Sequence, residues 1–411
     1  MRMTRRQIAK GMGMAALGNL AAARVTGSVV ESNALPARSE FATDQYETCL
    51  NNARWHPLSH GAKQAVIAYL EYKQRGIWNP PDEVSNAQKD VKAAFAGLIH
   101  ADPSEIAYVN STTAAENLFV AALGFPGAQG NIVTDALHFE GSLYLYEALR
   151  RQGVDVRVVR PKDWQVTTED LAAVVDKNTR LVAVSKVSYI NGFEHDINGI
   201  CDLAHTHGAL VYADAVQAAG AIPIDVRAWG VDALACASYK WLMGDMGLGF
   251  LYVRQDVLPK LKRTQFGYRQ LGTFDYHVFP WDKPGPYPIE YKEHPDTAGM
   301  FEIGTYDNAT VAALSYSIPT IQRLGVERIQ AHAQALLAPL KKELPRLGYP
   351  LITPDGSRAS MASFLVSDHE KTKAALKKAN VDVSLETGRM RVSPSIYNDE
   401  NDIQKLLNAL S

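Results

Sequence analysis

The 411-residue sequence has little cysteine, no excess of charge of either sign and no long apolar run. Its three cysteines, Cys49, Cys201 and Cys236, are too few and too widely spaced for a disulfide framework or a Cys-x-x-Cys metal site. The 42 Lys and Arg residues nearly balance the 44 Asp and Glu residues. The chain therefore lacks the basic surplus that nucleic-acid or acidic-membrane binding needs, and we expect neither partner. With 46% hydrophobic residues it can bury a large core.

The first 34 residues differ from the rest of the chain. Arg5 and Arg6 are followed by an uncharged, weakly apolar stretch over residues 11–23, and small residues suit cleavage after Ala34. This pattern resembles a twin-arginine export signal, whereas an amphipathic helix with two arginines would leave the uncharged stretch unexplained. A membrane anchor needs about 18 to 20 strongly apolar residues. We therefore expect a periplasmic protein without a membrane anchor, with residues 1–34 as its signal peptide.

Short apolar runs alternate with helical patterns through the middle of the chain. Strands that are apolar on both faces and separated by helices form parallel sheets covered on both sides. The predicted fold class is therefore α/β, with a mainly parallel seven-stranded sheet and helices on both faces. The seven runs cover residues 106–109, 132–133, 154–159, 181–187, 209–213, 233–237 and 249–253.

The pattern changes on either side of this region. Residues 263–304 are rich in proline, glycine and aromatics without a clear period, which is typical of a functional, partner-covered or surface segment. Helical patterns over 308–347 lead into a smaller α+β unit. We expect an N-terminal segment over 35–57, a large domain over 58–306 and a small C-terminal domain over 307–411.

Two charged residues follow neighbouring apolar strands. Asp214 ends the run Val211-Tyr212-Ala213, and Lys240 lies in Ser238-Tyr239-Lys240-Trp241 after the next run. Side chains at the carboxyl ends of strands open into the ligand crevice of an α/β sheet. A lysine amine that forms a Schiff base and a carboxylate that keeps a pyridine nitrogen protonated are what pyridoxal phosphate requires. Either residue alone would more often be a solvated lysine or a helix cap.

Five sequence words in order carry a family resemblance. They match fold-type I pyridoxal-phosphate enzymes of the class V aminotransferase family, which includes cysteine desulfurases, isopenicillin N epimerase and kynureninase, and the resemblance covers residues from about 50 to 411. The words are Ser111-Thr112-Thr113-Ala114-Ala115-Glu116-Asn117, the run from His205 to Gln217, Ser238-Tyr239-Lys240-Trp241, Phe301-Glu302-Ile303-Gly304-Thr305 and Arg391-Val392-Ser393.

The resemblance implies roles for the residues around the cofactor. Thr112 and Thr113 would hold the phosphate at a helix start, with Ser111 either as a third ligand or as an ordinary N-cap. His138 would stack on the cofactor ring, a role that the adjacent Phe139 could also fill. The remaining implied cofactor contacts are Gln217 to the phenolic oxygen, Ser238 and Tyr239 beside the lysine, and Thr305 donated across a homodimer interface to the partner's phosphate.

Substrate recognition is assigned by the last word. Arg391 matches the family arginine that grips the substrate α-carboxylate, because a guanidinium offers two parallel donors. Arg389 lies on the same face of a strand and would bind a second carboxylate, solvent or a surface acid. His205 and His207 are two residues apart on a predicted helix, so their side chains point in different directions, and no metal site is assigned.

Two departures from the family limit the activity. Tyr189 stands where relatives carry a cofactor-contacting asparagine, and no cysteine lies shortly before Arg391, so persulfide chemistry has no nucleophile. The prediction is an exported, homodimeric enzyme acting on a small amino-acid or aminoacyl substrate, which resembles the periplasmic enzyme that tailors pyoverdine siderophores. Transamination, epimerisation and elimination stay open. Two alternatives come from other classes. One is a cofactor-free binding protein, and the other is a hydrolase or dehydrogenase, whose motifs G-x-S-x-G and strand-linked G-x-G-x-x-G are absent from the sequence.

Overall fold

The computed structural model describes residue 35 and residues 38–42, 48–76 and 82–411. The predicted export signal lies outside these residues. Within them, the first strand is β1 (Thr48–Cys49) and the first helices are α1 (His60–Gln74) and α2 (Asp82–Leu98). The Ser59 hydroxyl begins α1 by accepting a hydrogen bond from the Ala62 amide. Both helices pack on a later helix, α9 (Asn308–Leu324).

A seven-stranded sheet forms the centre of the molecule, as predicted. Its order is β2-β8-β7-β6-β5-β3-β4, and β8 alone runs antiparallel to its neighbours. The α/β fold class is confirmed. The strands are β2 (Ile106–Val109), β3 (Asn131–Asp135), β4 (Asp155–Val159), β5 (Thr179–Ser185), β6 (Leu210–Asp214), β7 (Ala233–Ala237) and β8 (Gly249–Val253).

Helices connect these strands and cover the sheet. One apolar core joins the sheet to them and includes Phe119, Tyr146, Tyr212 and Leu251, all fully buried. Burying side chains of this size is the main source of stability in such a layered fold. The connecting helices are α3 (Thr112–Ala122), α4 (Glu140–Arg151), α5 (Thr168–Ala172), α6 (Ile197–Thr206) and α7 (Val226–Trp229).

The aperiodic region contains an antiparallel hairpin that the sequence pattern did not predict. Strands β9 (Leu271–Tyr276) and β10 (Ile289–Glu293) pair with each other outside the main sheet, and α8 (Thr297–Phe301) follows. Most of their side chains are exposed, among them Tyr276 and Tyr291. Strands with two exposed faces carry no alternation of apolar and polar residues, so periodicity could not reveal them.

The C-terminal part has its own sheet and its own core. After α9 come α10 (Val326–Glu343), β11 (Ala362–Leu365), α11 (His369–Ala379), β12 (Val381–Asp382), β13 (Ser384–Glu386), β14 (Arg389–Val392) and α12 (Glu400–Leu410). Strand β14 lies between β11 and β13, and both pairings are antiparallel.

The segment over residues 48–56 ties the C-terminal part to the rest. Strand β1 pairs with β12, and Leu50 is buried in the C-terminal core. The Asn52 amide donates to the Ser393 carbonyl over 2.9 Å. The border drawn at 306/307 coincides with Asp307, which caps α9, and the division into domains stays a prediction. None of the helices in the described ranges is long and apolar enough to span a bilayer.

Candidate active site

A cavity opens at the carboxyl ends of the central strands. Asp214 is the last residue of β6, and Lys240 lies three residues after the end of β7, so both reach the same edge of the sheet. The lining residues are Ser111, Thr112, Thr113, Phe139, Ser185, Val187, Tyr189, Asp214, Val216, Gln217, Ala237, Tyr239 and Lys240. The structure therefore brings together seven of the residues that the sequence assigned to the cofactor.

Lys240 is held in place by the loop after β7. The Ser238 hydroxyl donates to the carbonyls of Asp245 and Leu248 over 2.6 and 2.8 Å, which closes the loop. Ser238 is fully buried and is not among the lining residues, and its contact with the cofactor stays a prediction. Gly220, at φ 87°, lets the backbone at Trp241 pack closely against it, because a Cβ on residue 220 would lie 2.5 Å from the Trp241 carbonyl oxygen.

Burial makes the amine of Lys240 reactive. Only 9% of the residue is exposed, and desolvation, assisted by the charge of Arg391, lowers the pKa of Lys240 to about 8. Across the described residues its amine has no hydrogen-bond or ion-pair partner. About a tenth of the amine is therefore neutral at pH 7, far more than for an ordinary lysine.

Asp214 is a buried carboxylate in need of a cation. Its Oδ1 accepts a hydrogen bond from the Val216 amide over 2.8 Å, which fixes the side chain at the strand end. Burial raises the pKa of Asp214, and the nearby His138 opposes this rise. A proton-bearing ligand nitrogen would satisfy this carboxylate.

The start of α3 supplies an anion-binding end. Ser111 caps the helix by accepting a hydrogen bond from the Ala114 amide over 3.1 Å. The first amides of a helix have no partner within it and attract negative charge. The Thr112 hydroxyl is buried without a hydrogen-bond partner in the described part of the chain. An unpaired buried hydroxyl beside free amides fits a phosphate group.

The structure separates His138 from Phe139. Phe139 lines the cavity, whereas His138 is fully buried behind it, with Nδ1 2.8 Å from the Ser185 Oγ and Nε2 3.1 Å from Glu116 Oε1. His138 therefore does not line the cavity of this structure, and its stacking on a cofactor ring stays a prediction. Phe139, the alternative, has the position that this role requires.

The two arginines of β14 differ in their surroundings. Arg391 is 4% exposed and donates through Nη1 to the Tyr189 carbonyl over 2.8 Å, while its Nε has no partner in the described ranges. Burial, with the charge of Arg389 nearby, lowers the pKa of Arg391 to about 10. Arg389 instead pairs with Glu386 over 2.6 Å and donates to the Ile190 carbonyl. The surface-acid alternative therefore describes Arg389.

Thr305 lies apart from this cavity. It lines a second cavity together with Tyr108, Asn110, Ala114 and Tyr306. Ala114 follows Thr113, a lining residue of the first cavity, on α3. Within one chain Thr305 is therefore not a lining residue of the first cavity, and its transfer to a partner subunit stays a prediction.

Sequence reasoning did not single out Ser185 as a lining residue. Ser185 ends β5, and its Cα is paired with that of Asp214 across the sheet. The strand-end argument that found Asp214 would have found Ser185 as well. Tyr189, noted only as a departure, lines the cavity and donates its hydroxyl to Glu140 over 3.3 Å.

No described group of His, Cys, Asp and Glu side chains is arranged to hold a metal. The arrangement of the cavity instead fits pyridoxal phosphate: an unpaired hydroxyl and helix amides for phosphate, a carboxylate for the ring nitrogen and an unpartnered amine for the aldehyde. Phe139 adds an aromatic face beside these groups.

Comparisons with known proteins agree with this geometry. The family model "Aminotransferase class-V" matches residues 62–406. The chain is 27% identical over 381 residues to the uncharacterized aminotransferase YcbU of Bacillus subtilis (strain 168), covering 91% of this chain and 96% of that protein.

Two solved structures share the fold. The apo cysteine desulfurase of Thermococcus onnurineus NA1 superposes with a TM-score of 0.78 at 22% identity, over 91% of this chain and 96% of that one. A C-DES mutant with glycine covalently linked to its pyridoxal phosphate cofactor gives 0.79 at 21% identity, over 91% and 99%. The chain belongs to the class-V aminotransferase family, and pyridoxal phosphate is the cofactor that this family and the cavity indicate.

Proposed function

We propose that this protein carries out aminotransferase-type chemistry at the α-carbon of an amino-acid or aminoacyl substrate. The observation that carries the proposal is the cavity at the strand ends, which is lined by Asp214 and by Lys240, whose amine has no hydrogen-bond or ion-pair partner among the described residues. The buried guanidinium of Arg391 is a second cation near Lys240. An amino acid presents an amine and a carboxylate to these two groups. Bound pyridoxal phosphate supplies an electron sink for the α-carbon.

The side chains divide the work. Neutral Lys240 accepts the α-proton and returns it, because a pKa near 8 suits a base that works close to neutral pH. Asp214 would keep the pyridine nitrogen of the cofactor protonated. Arg391 binds the substrate carboxylate through its guanidinium. The Thr112 hydroxyl and the first amides of α3 would bind the phosphate.

Persulfide-forming desulfuration is not the chemistry that we propose. None of the three cysteines lines the cavity, and burial raises the pKa of both Cys201 and Cys236. A thiol is nucleophilic as its thiolate, so these two residues are poor nucleophiles. The proposal therefore differs from the activity named for the desulfurase neighbours.

The test begins with the visible spectrum of purified protein. We expect a pH-sensitive visible band and a borohydride-trapped adduct on Lys240, both lost in Lys240→Ala. Both should be retained in Lys186→Ala, which changes a partly buried lysine that does not line the cavity. Amino acids offered singly should convert the cofactor to its amine form and release a keto acid. A colourless protein, or an adduct on another lysine, would contradict the proposal. Racemised substrate without keto acid would favour epimerisation.

We also propose the compartment and the assembly state. Arg5 and Arg6 support twin-arginine export of a folded protein, and an aminoacyl group of a siderophore is then a substrate to offer first. The resemblance around Thr305 supports a homodimer with shared sites. Light scattering of the purified protein should give twice the mass of one mature chain, and a monomer that still binds cofactor and turns over would contradict this.

A further inference from the structure

A buried pair of a glutamate and a histidine lies behind the wall of the cavity. Glu116, on α3, is 1% exposed, and its Oε1 is 3.1 Å from Nε2 of the fully buried His138. The hydroxyls of Ser142 and Tyr146, on α4, donate to the same carboxylate. Neither Glu116 nor His138 lines the cavity. The pair is therefore placed to act on the site only through another residue.

The hydrogen bonds of this cluster have a defined direction. Three donors around Glu116 stabilise its ionised form, and a carboxylate only accepts, so Nε2 of His138 carries a hydrogen. Burial alone would lower the pKa of His138, but the carboxylates of Glu116, Asp214 and Asp135 outweigh it and raise the pKa. The raised pKa favours the charged imidazole, which has hydrogens on both nitrogens. In this form Nδ1 donates to the Ser185 Oγ, 2.8 Å away.

The residue that receives this bond faces the cavity. Ser185 ends β5 beside Asp214 and lines the cavity with it. A hydroxyl that accepts a hydrogen bond keeps its own hydrogen for a second partner. Among the residues that the structure describes, the Ser185 hydroxyl has no hydrogen-bond partner besides His138. Its hydrogen is thus left for a group in the cavity.

We propose that Ser185 is a further cofactor-binding residue, whose hydroxyl donates to a ring oxygen of bound pyridoxal phosphate. Glu116 and His138 are positioning residues, because they hold the serine oxygen as an acceptor and so turn its hydrogen toward the cavity. The ring end is the partner, since Ser185 neighbours Asp214 whereas the phosphate end lies at Thr112 and Thr113. The inference rests on the proposed function, because it assumes that this cofactor is bound.

The first test compares two buried serines of the same region. Ser185→Ala should weaken the binding of pyridoxal phosphate to apoprotein by about five- to tenfold, the equivalent of one hydrogen bond. Ser188→Ala is the matched control, because Ser188 is buried and donates to the Leu137 carbonyl away from the cavity. Inorganic phosphate should inhibit cofactor binding equally in wild type and Ser185→Ala. Equal cofactor affinity in all three proteins, or weaker inhibition by phosphate in Ser185→Ala, overturns the inference.

The second test addresses the positioning pair without using turnover. Nitrogen-15 NMR of histidine-labelled apoprotein should show His138 with both ring nitrogens protonated at pH 7.5. His138→Asn retains a donor near Nδ1 and should bind cofactor more tightly than Glu116→Gln/His138→Leu, which lacks one and leaves no buried charge. Adding Ser185→Ala to that double variant should cost nothing further. A neutral His138, or a full additional loss, overturns the positioning role.

The two proposals fail in different ways. If wild-type protein takes up no pyridoxal phosphate, the proposed function is wrong. If wild type binds the cofactor through Lys240 and Ser185→Ala binds it equally well, only the role of Ser185 is wrong.

Discussion

The indole Nε1 of Trp241 donates a hydrogen bond to Oε1 of Gln217 over 2.9 Å. The amide nitrogen of Gln217 donates to the Ala53 carbonyl, also over 2.9 Å. An amide nitrogen carries two hydrogens, so one remains for the cavity that Gln217 lines. Trp241, the residue directly after Lys240, thus holds the oxygen of the Gln217 amide and leaves an N–H group to face a bound cofactor.

This relationship predicts the effect of Trp241→Phe. Without the indole donor the Gln217 amide can rotate, so we expect cofactor affinity to fall about fivefold and the free energy of unfolding to drop by about 1 to 3 kcal/mol. A cofactor titration and urea unfolding measure the two effects. Trp164→Phe, at a partly exposed position outside the cavity, is the control. Unchanged cofactor affinity in Trp241→Phe would show that the bond does not orient Gln217.

A second prediction concerns Arg391. Charge-assisted bidentate contacts contribute on the order of 2 to 3 kcal/mol, so Arg391→Ala should lower kcat/KM by tens- to hundreds-fold while cofactor absorbance survives. Arg391→Lys should restore only part, because a point charge lacks the two parallel donors. Arg346→Ala, which breaks an exposed pair with Glu343, is the control. Steady-state kinetics with an identified substrate check this, and unchanged kcat/KM would remove Arg391 from the site.

A third prediction follows from the lowered pKa of Lys240. The neutral amine reacts with the cofactor, and a pKa of about 8 makes about a tenth of it neutral at pH 7, against well under 0.1% for an ordinary lysine. The rate of cofactor attachment to apoprotein should therefore rise with pH and level off above pH 8. Arg391→Gln removes a neighbouring positive charge and should move the midpoint upward. A midpoint near 10 in wild type would contradict the shift.

The lowered pKa also has a consequence for stability. Because folding disfavours the charged form of Lys240, its contribution to the free energy of unfolding falls as the pH drops from about 10 through 8. Urea unfolding of apoprotein across this range, with Lys240→Met as the reference, measures the difference. The free energy of unfolding of the wild-type protein should increase relative to that of Lys240→Met as the pH rises from 8 to 10.

A fourth prediction concerns export. Replacing both Arg5 and Arg6 with lysine should leave cofactor-loaded protein in the cytoplasm, because the arginine pair is the defining feature of the export signal that residues 1–34 resemble. Cell fractionation with a cofactor-absorbance measurement checks this. Replacing Lys10 with arginine serves as a control for changes near the N-terminus. Export that continues unchanged in the double variant would refute the signal.

The sequence predicted the central sheet well, for a physical reason. Six of the seven strands are mostly buried and therefore rich in apolar residues, and helical stretches separate most of them, so apolar runs located them. The edge strand β4 has no buried residue and was located by its valines. The hairpin of β9 and β10 was not predicted, because both of its faces are exposed and its sequence has no apolar run. The two-residue pairing of β1 with β12 escaped because its partners are far apart in the chain and too short for a periodic pattern.

The site could be predicted where its residues end or closely follow apolar strands, as Asp214 does at the end of β6 and Lys240 does three residues after β7. His138 and Phe139 could not be ordered in the same way. They are neighbours after one strand, and only the packing of α3 and α4 decides that Glu116 binds the imidazole behind the wall while the phenyl ring lines the cavity. Arg389 was likewise undecidable, since its partner Glu386 comes from the adjacent strand β13.

The segment over residues 48–56 bears on how the protein is made. Through Asn52 it bonds Ser393 and Tyr397, which lie 341 and 345 residues further along, and through the Ala53 carbonyl it fixes Gln217. Contacts of such sequence separation form only after the chain between them has been synthesised. The two bonds of Asn52 therefore form only once the chain has been synthesised past Tyr397, whereas the bond between Ala53 and Gln217 can form much earlier. The part of the site near Arg391 is completed after the central sheet has been made.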